Sequence, residues 1–386
     1  MIIAGVAGRD LEKTKAYATK HGIPKVHNSY EGKIAEVRFF RTMILKNRLD
    51  LLADPTIDAI YNPLPNGLHF QWTMLALRAG KHVLVEKPSV SNGTEATKLW
   101  DFHASLKSKT SPAPVLLEAV HYRFHPAWST FMSLIDSRII TTARSEISAP
   151  GGFVKAGDIR FRYDLSGGAV MDPGTYSISA LRQVFGKEPE ECISAEAVVM
   201  PEGGDQKVDL RMKGKWQFTD MGFGTFETDL DKRGCLGLPS VKLPMIEVRH
   251  RSTPFGDSEM KIGEMSHYVT KTVTFWNFIL PTMWHRIDIV DEHETHNKDH
   301  KVMRKWTTRE SKKAYGWEQG KDGKTKAGDE LWSSYRYQLE EFVNRIKGRE
   351  GSGIWIDGED SVNQMKMIDQ VYEKAGLPAR PTSRFE

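Results

Sequence analysis

The sequence predicts an α/β protein in two parts: a parallel sheet built from βαβ units, followed by an α+β region on a large, mainly antiparallel sheet. Three observations carry this. Up to residue 122, short apolar runs alternate with helical patterns, the signature of parallel strands joined by crossover helices. From Thr142 to Trp306 the dominant signal is strands of mixed or alternating polarity. Two amphipathic helices then close the chain. At 386 residues the chain exceeds the size at which a single core stops growing, so two domains are expected, 1–122 and 123–386.

Taken in order, Ile2 to Val6 reads as a buried strand. A helix from Leu11 to His21 follows, with Asp10 as N-cap and Gly22 as its stop. Ile57 to Leu64 is the next strand. Leu68, Trp72, Leu75, Ala76 and Ala79 then share one helical face between Asn66 and Gly80. Val83 to Val85 and Val115 to Leu117 are strands around a helix from Asn92 to Phe102. Their continuous rather than alternating apolarity fits a sheet covered on both faces. Further strands are expected at Ile193 to Met200, Ile246 to His250, Tyr268 to Trp276 and Arg286 to Val290. Thr308 to Asp329 is polar and rich in Gly and Lys, and reads as a surface loop. Tyr335, Leu339, Phe342, Val343 and Ile346 share one face of the penultimate helix. Met365, Ile368, Tyr372 and Ala375 share a face of the last, which ends at Gly376 with Pro378 beyond.

Composition narrows the function classes. Apolar residues make up 39% and charged residues 27%, ordinary for a globular protein, and no apolar run has transmembrane length. The start lacks a basic leader and a signal-peptide core. With only Cys192 and Cys235, a disulfide framework is not expected and a reducing cytoplasm is the default location. The net charge of +4 is spread along the chain, so nothing points to nucleic acid or membrane as partner.

Two strand ends carry the chemistry. Arg9 follows the first strand and precedes a helix. In a dinucleotide-binding βαβ unit this is where an Arg accommodates the 2′-phosphate of NADP, although a solvated Arg at a helix start is the commoner reason for one. No G-x-G-x-x-G occurs in the chain. If Ile2 to Val6 is the second strand of such a Rossmann unit, the first strand and its phosphate-binding turn are expected upstream of Met1. The second strand end is Gly80-Lys81-His82-Val83-Leu84-Val85-Glu86-Lys87-Pro88, an apolar strand running into Glu-Lys-Pro. Ligands of open parallel sheets bind outside the carboxyl ends of strands, so Lys87 is placed to meet a substrate oxygen; a surface Lys at a strand end is the plainer alternative. The Lys87–Pro88 bond is a candidate cis peptide.

With these segments the chain resembles the Gfo/Idh/MocA oxidoreductase family, in particular its branch of NADP-dependent D-xylose dehydrogenases and dimeric dihydrodiol dehydrogenases. The matching residues are Ala4 through Asp10, Tyr61-Asn62-Pro63-Leu64-Pro65-Asn66-Gly67-Leu68-His69, Gly80 through Pro88, Leu117-Glu118-Ala119 and Arg123-Phe124-His125-Pro126. Gly167-Gly168-Ala169-Val170-Met171-Asp172-Pro173-Gly174-Thr175-Tyr176, Asp357 through Ser361 and Ala375-Gly376-Leu377-Pro378 complete the set. The resemblance implies a Rossmann dinucleotide-binding domain over 1–122 and an α/β substrate and oligomerisation domain over 123–386.

By position, the resemblance implies Lys87, Tyr176 and Asp172 as catalytic residues, with Tyr176 as general acid/base. It implies Arg9, Pro65, Asn66, His69, Glu86 and Lys87 beside NADP, and Arg123, Phe124 and His125 at the substrate. It also implies a dimer that oxidises a sugar or a related diol. A phenol near pKa 10 is a poor base at neutral pH, and a Lys cation beside it is expected to lower that value. Without the family, Tyr176 reads as an aromatic packed at a helix start.

Two departures stand out. The glycine turn is missing, and Gly32 to Arg48 intervenes between Ser29-Tyr30-Glu31 and Leu51-Leu52-Ala53-Asp54-Pro55. Its apolar residues predict a short extra helix, and a misdrawn gene model with a lost first exon and a retained intron would explain both departures. The run Asp291 to His300 holds three His and several acids, but it is wholly polar after a strand and reads as a solvated hairpin rather than a metal site. No metal is expected. The alternatives to a D-xylose-like substrate are a trans-dihydrodiol, or a non-catalytic dinucleotide-binding protein on the same scaffold.

Overall fold

The computed structural model describes residues 3–8, 10–27, 50–109, 112–255, 265–317 and 326–385. Strand β1 (Gly5–Ala7) leads into α1 (Leu11–His21). The Asp10 side chain accepts from Lys13 N, and Gly22 closes the helix at φ 64°, a left-handed turn that glycine adopts without a Cβ clash. Strand β2 (Lys25–His27) pairs parallel to β1. After a short helix, α2 (Asp50–Ala53), the chain forms β3 (Ala59–Asn62), α3 (Asn66–Arg78), β4 (His82–Glu86), α4 (Gly93–Lys107) and β5 (Leu116–Ala119).

Strands β3, β4 and β5 pair parallel in that order. Val83 and Val85 are fully buried, as expected of a strand covered on both faces. Among the described residues no strand joins β1 to β3, so the parallel sheet stands in two pieces. The first strand is shorter than its apolar run predicts, and β3 stops at Asn62 because Pro63 offers no N–H to the ladder. Arg9 and the expected helix within 32–48 lie outside the described residues.

A tight turn, His121–Phe124, and helix α5 (Pro126–Ser133) lead to the large sheet. Its strands are β6 (Ile140–Pro150), β7 (Glu191–Val199), β8 (Asp209–Thr219), β9 (Gly222–Lys232), β10 (Met245–His250), β11 (Thr253–Pro254), β12 (Ser266–Trp276), β13 (Arg286–His296) and β14 (Val302–Lys312). The order is β14-β13-β12-β10-β6-β9-β8-β7, with β11 beside β12; the pairings are antiparallel except β6 with β9. Helices α6 (Thr175–Phe185), α7 (Ser334–Ile346) and α8 (Gly358–Lys374) complete the fold.

Helix α6 covers one face of the sheet. Trp216, Phe218 and Phe226 point inward with Leu181 and Phe185, and the rings of Phe185 and Phe218 stack 4.1 Å apart. Gly224 makes room for this packing: a Cβ there would stand 2.7 Å from the Phe218 ring. The opposite face is laced with cross-strand ion pairs such as Lys213–Glu227 at 3.8 Å and Arg249–Glu292 at 2.7 Å.

Two expectations are corrected. The strand expected to end at Val290 continues to His296, and Thr308 to Lys312 belongs to β14 rather than to a loop. Both stretches are polar because β13 and β14 form a hairpin at the rim of the sheet, where neither face is fully covered. The polarity that reads as loop is the polarity of an edge ribbon.

Glu118 on β5 generates a stability prediction. Burial pushes its carboxyl up to about 7, against a hydrogen bond from Ser89 N at 3.0 Å. The folded state therefore keeps a proton that the unfolded chain has released, and stability falls as pH rises from about 4.5 to about 7. Glu118→Gln keeps the acceptor for Ser89 and should remove this loss, on the order of 3 kcal/mol at pH 8 relative to pH 5. Urea denaturation at the two pH values measures it; an unchanged pH dependence in the variant would refute it.

Candidate active site

The site forms where the carboxyl ends of β3 to β5 meet the start of α6. Strand β4 ends in Glu86, and the cis Lys87–Pro88 peptide follows. Lys87 is largely buried, and its Nζ donates to Asp172 Oδ1 at 2.8 Å and to the Asp172 carbonyl at 2.9 Å. The same Nζ stands 4.4 Å from the centre of the Tyr176 ring. Asp172 lies in a π-turn, Val170–Gly174, that runs directly into α6, so Asp172 and Tyr176 are presented from consecutive turns. Arg160 donates from Nε to Asp172 Oδ2 at 2.5 Å. Burial alone would raise the Asp172 carboxyl, but the charges of Lys87 and Arg160 outweigh it and hold the group at about 2.

The phenol of Tyr176 behaves opposite to expectation. Burial, and then the neighbouring Tyr335, Glu86 and Asp172, push it well above its ordinary 10. A Lys cation was expected to lower it. The reason it does not is that Asp172 takes the hydrogen bonds and much of the field of Lys87, which faces the ring rather than the phenol oxygen.

The remaining expected cofactor residues take different places. Pro65 stands at the N-cap of α3, and Asn66 Nδ2 donates to the Ser166 carbonyl at 3.1 Å. Glu86 accepts from Tyr61 Oη at 2.7 Å. His69 is fully buried, with its ring nitrogens 2.8 Å from Pro88 O and 2.6 Å from Leu64 O. Burial pushes its pKa down to about 4, and a neutral ring can donate to only one of these two carbonyls.

Arg123, Phe124 and His125, expected at the substrate, make ion-pair, packing and capping contacts in this structure. The Arg123 guanidinium pairs with Asp360 of α8, which also holds Arg182 at 2.6 Å. Phe124 is in the core, and His125 Nδ1 accepts from Ala127 N at 3.2 Å as the cap of α5. These side chains follow a strand end, but all four residues of the turn His121–Phe124 are buried.

In their place the turn brings His121 to the site. Its Nε2 lies 3.0 Å from Tyr176 Oη and its Nδ1 2.8 Å from Ser334 Oγ. Tyr335, at the start of α7, stacks on the imidazole with centroids 3.9 Å apart. The sequence grouped Tyr335 with a helix face. It is instead 45% exposed, because the first turn of α7 overhangs the cleft. The signal that could have found His121 was its place two residues past the end of β5.

A cation, a carboxylate and a phenol together at the carboxyl ends of parallel strands define an oxidoreductase-type cleft that suits the nicotinamide end of a dinucleotide. Residues 2–112 are a domain of the Gfo/Idh/MocA oxidoreductase family with an NAD-binding Rossmann fold. The chain is 33% identical over 232 residues to a D-xylose 1-dehydrogenase (NADP(+)) of Haloferax volcanii, covering 59% of this chain and 62% of that protein. It is 30% identical over 220 residues to a trans-1,2-dihydrobenzene-1,2-diol dehydrogenase of Xenopus laevis, covering 56% and 58%. The match therefore spans less than two-thirds of these relatives. The fold resembles that of KijD10, a 3-ketoreductase from Actinomadura kijaniata crystallised with NADP and TDP-benzene, at TM-score 0.65 and 19% identity over 96% of this chain and 89% of that one.

The ion pairs behind the cleft give a prediction. Arg123→Leu leaves Asp360 with Arg182 alone and should lower stability by about 3 kcal/mol, read as a shift in the urea midpoint. No shift would mean that Arg123 is not held as described and would return it to the list of ligand-binding candidates.

Proposed function

We propose that this chain is an NADP-dependent oxidoreductase that transfers a hydride from a CH–OH group of a sugar to the nicotinamide. Tyr176 is its general acid/base, Lys87 faces the phenol ring and Asp172 fixes Lys87. The observation that carries this is the position of Lys87 Nζ, hydrogen-bonded to Asp172 and 4.4 Å from the Tyr176 ring centre. The kinship with an NADP-dependent D-xylose dehydrogenase supports it. A trans-dihydrodiol is the alternative substrate, supported by the Xenopus relative.

A bound nicotinamide supplies the hydride acceptor. The chain supplies the rest. Tyr176 exchanges a proton with the substrate oxygen, and the Lys87 cation favours the phenolate that results when it donates. Glu86, Asn66 and Pro65 line the strand-end loops where the nicotinamide would lie. Arg9, by its place in the sequence, would meet the 2′-phosphate.

A non-catalytic dinucleotide-binding protein is the second reading. Titration with NADPH, followed by nicotinamide fluorescence, combined with turnover assays on D-xylose and a trans-dihydrodiol separates the two. Binding without turnover on either substrate would select the second reading.

Three outcomes are expected. Tyr176→Phe should lower kcat by about 10²–10⁴-fold with little change in cofactor affinity, and Lys87→Met by a similar factor; near-normal turnover by Tyr176→Phe would assign the base elsewhere. Because the phenol titrates well above 10, alcohol oxidation should still be accelerating at pH 9, whereas carbonyl reduction should be nearly flat there. A plateau in oxidation near pH 7 would contradict this. Arg9→Ala should erase a preference for NADPH over NADH of about tenfold or more, and equal affinities in the parent would refute that role. The protein should also be a dimer through the uncovered, ion-paired face of the large sheet, and a monomer mass by light scattering would count against it.

A further inference from the structure

His121 is a buried polar group next to the reacting phenol that the reading above leaves without a role. It lies in the turn after β5, with no exposed surface. Its two ring nitrogens face two hydroxyls, Tyr176 Oη at 3.0 Å and Ser334 Oγ at 2.8 Å. The Tyr335 ring lies against its face at an interplanar angle of 25°. The charged groups around this pair are Lys87 and Glu86 at the end of β4 and Asp172 ahead of α6; α7 contributes only the neutral Ser334 and Tyr335. Burial, and then the positive charge of Lys87, hold the imidazole neutral down to about 3.

A neutral imidazole has one N–H and one lone pair, so it must donate to one of the two hydroxyls and accept from the other. The two arrangements differ in consequence. With the proton on Nδ1, the ring accepts the phenol O–H and ties it away from the cleft. With the proton on Nε2, the ring donates to the phenol oxygen, Ser334 donates to Nδ1, and the phenol O–H is available to the neighbouring Tyr335 hydroxyl or, in its place, to a substrate oxygen. Only the second serves Tyr176 in both protonation states, because a phenolate needs a donor and cannot use a lone pair.

We propose that His121 is a positioning residue for Tyr176: Ser334 fixes its tautomer, and its Nε2–H holds the phenol oxygen before and after proton transfer. This rests on the assignment of Tyr176 as acid/base. When Tyr176 acts as acid, its O–H bond breaks as an O–H bond to the substrate oxygen forms. The electron pair stays on Oη, where Nε2–H meets it, and His121 itself neither gains nor loses a proton.

The test has a spectroscopic arm that needs no turnover. In long-range 1H–15N spectra of the 15N-histidine-labelled full chain, the signals lost in His121→Phe identify the ring. They should show a neutral imidazole protonated on Nε2 throughout pH 5–8, and Ser334→Ala should populate the Nδ1–H form. A ring protonated on Nδ1 in the parent, or one titrating near its ordinary value of about 6.5, overturns the proposal.

The kinetic arm measures turnover with NADP and D-xylose or a trans-dihydrodiol. His121→Phe keeps a ring for Tyr335 to stack on but has no donor. It should lower kcat by about ten- to a hundredfold, leave KM within about threefold, and move the pH profile of oxidation to more alkaline values. His121→Gln, whose side-chain amide can donate in place of Nε2, should recover much of the loss and also covers the case in which His121→Phe does not fold. Unchanged kcat and pH profile in both variants, with Tyr176→Phe inactive, would overturn the role of His121 and leave the dehydrogenase reading intact. No turnover by the parent on either substrate would instead remove that reading, and the catalytic role of His121 with it, even if the Nε2–H tautomer is found.

Discussion

The cleft depends on the ion pair between Lys87 and Asp172. Lys87 ends a parallel strand and Asp172 sits 85 residues later in the lead-in to α6, so the pair joins the two halves of the fold at the point where the chemistry lies. Placing an ammonium with little access to water is costly unless it is paired and hydrogen-bonded. Here the carboxylate and its own backbone carbonyl both accept from Nζ, and Arg160 balances the second carboxylate oxygen. Tyr176 follows Asp172 by four residues on a continuous turn. Once the pair forms, the phenol ring is carried close to the cation, and His121 meets its oxygen.

That junction is held by polar contacts well away from the reacting groups. Arg123 and Arg182 both reach Asp360, tying the turn after β5 and helix α6 to α8. Ser166 is held by Ser91 at 2.9 Å and by Asn66 through its carbonyl. Behind it, Arg380 and Asp209 form an ion pair with no exposed surface on either side chain, and Tyr372 Oη donates to the same carboxylate at 2.9 Å. This explains the glycine pair ahead of Asp172. A Cβ on Gly168 would stand 2.1 Å from Asp209 Oδ1, and its φ of 134° is one that residues with a side chain rarely adopt. In one short motif, then, the glycine admits the buried ion pair and the Asp and Tyr face the cleft.

How much of this was legible in the sequence follows from the range of the forces involved. Helices α1 and α3 and strands β4 and β5 were readable because caps and apolar runs are local signals. The Glu-Lys-Pro strand end and the Asp–Tyr spacing were readable because each lies within one element. The polar strand β14 was not, since its ladder is set by pairing with β13 rather than by its own apolar pattern. The ion pair of Arg123 and the place of His121 were overlooked for a related reason. Both follow β5, and which of them faces the cleft is decided by a turn whose shape depends on Asp360 and Ser334, more than 200 residues away. Tyr335 looked like part of a helix face because periodicity cannot tell a core from a cleft.

The same range argument explains the phenol. From the sequence, a Lys near a Tyr implies a lowered pKa, because the pair is considered alone. In the fold, the Lys charge is shared with a carboxylate held at about 2, and the Tyr oxygen is enclosed by His121 and aromatic neighbours. Enclosure opposes ionisation more strongly than a distant, already paired cation favours it. The site at rest therefore keeps its proton on Tyr176. That state is ready to give a proton to a carbonyl oxygen, and it must lose one before it can accept from a hydroxyl. On the proposed reading, a phenol with a high pKa suits donation to a carbonyl oxygen, and the Nε2–H of His121 would meet the phenolate as it forms.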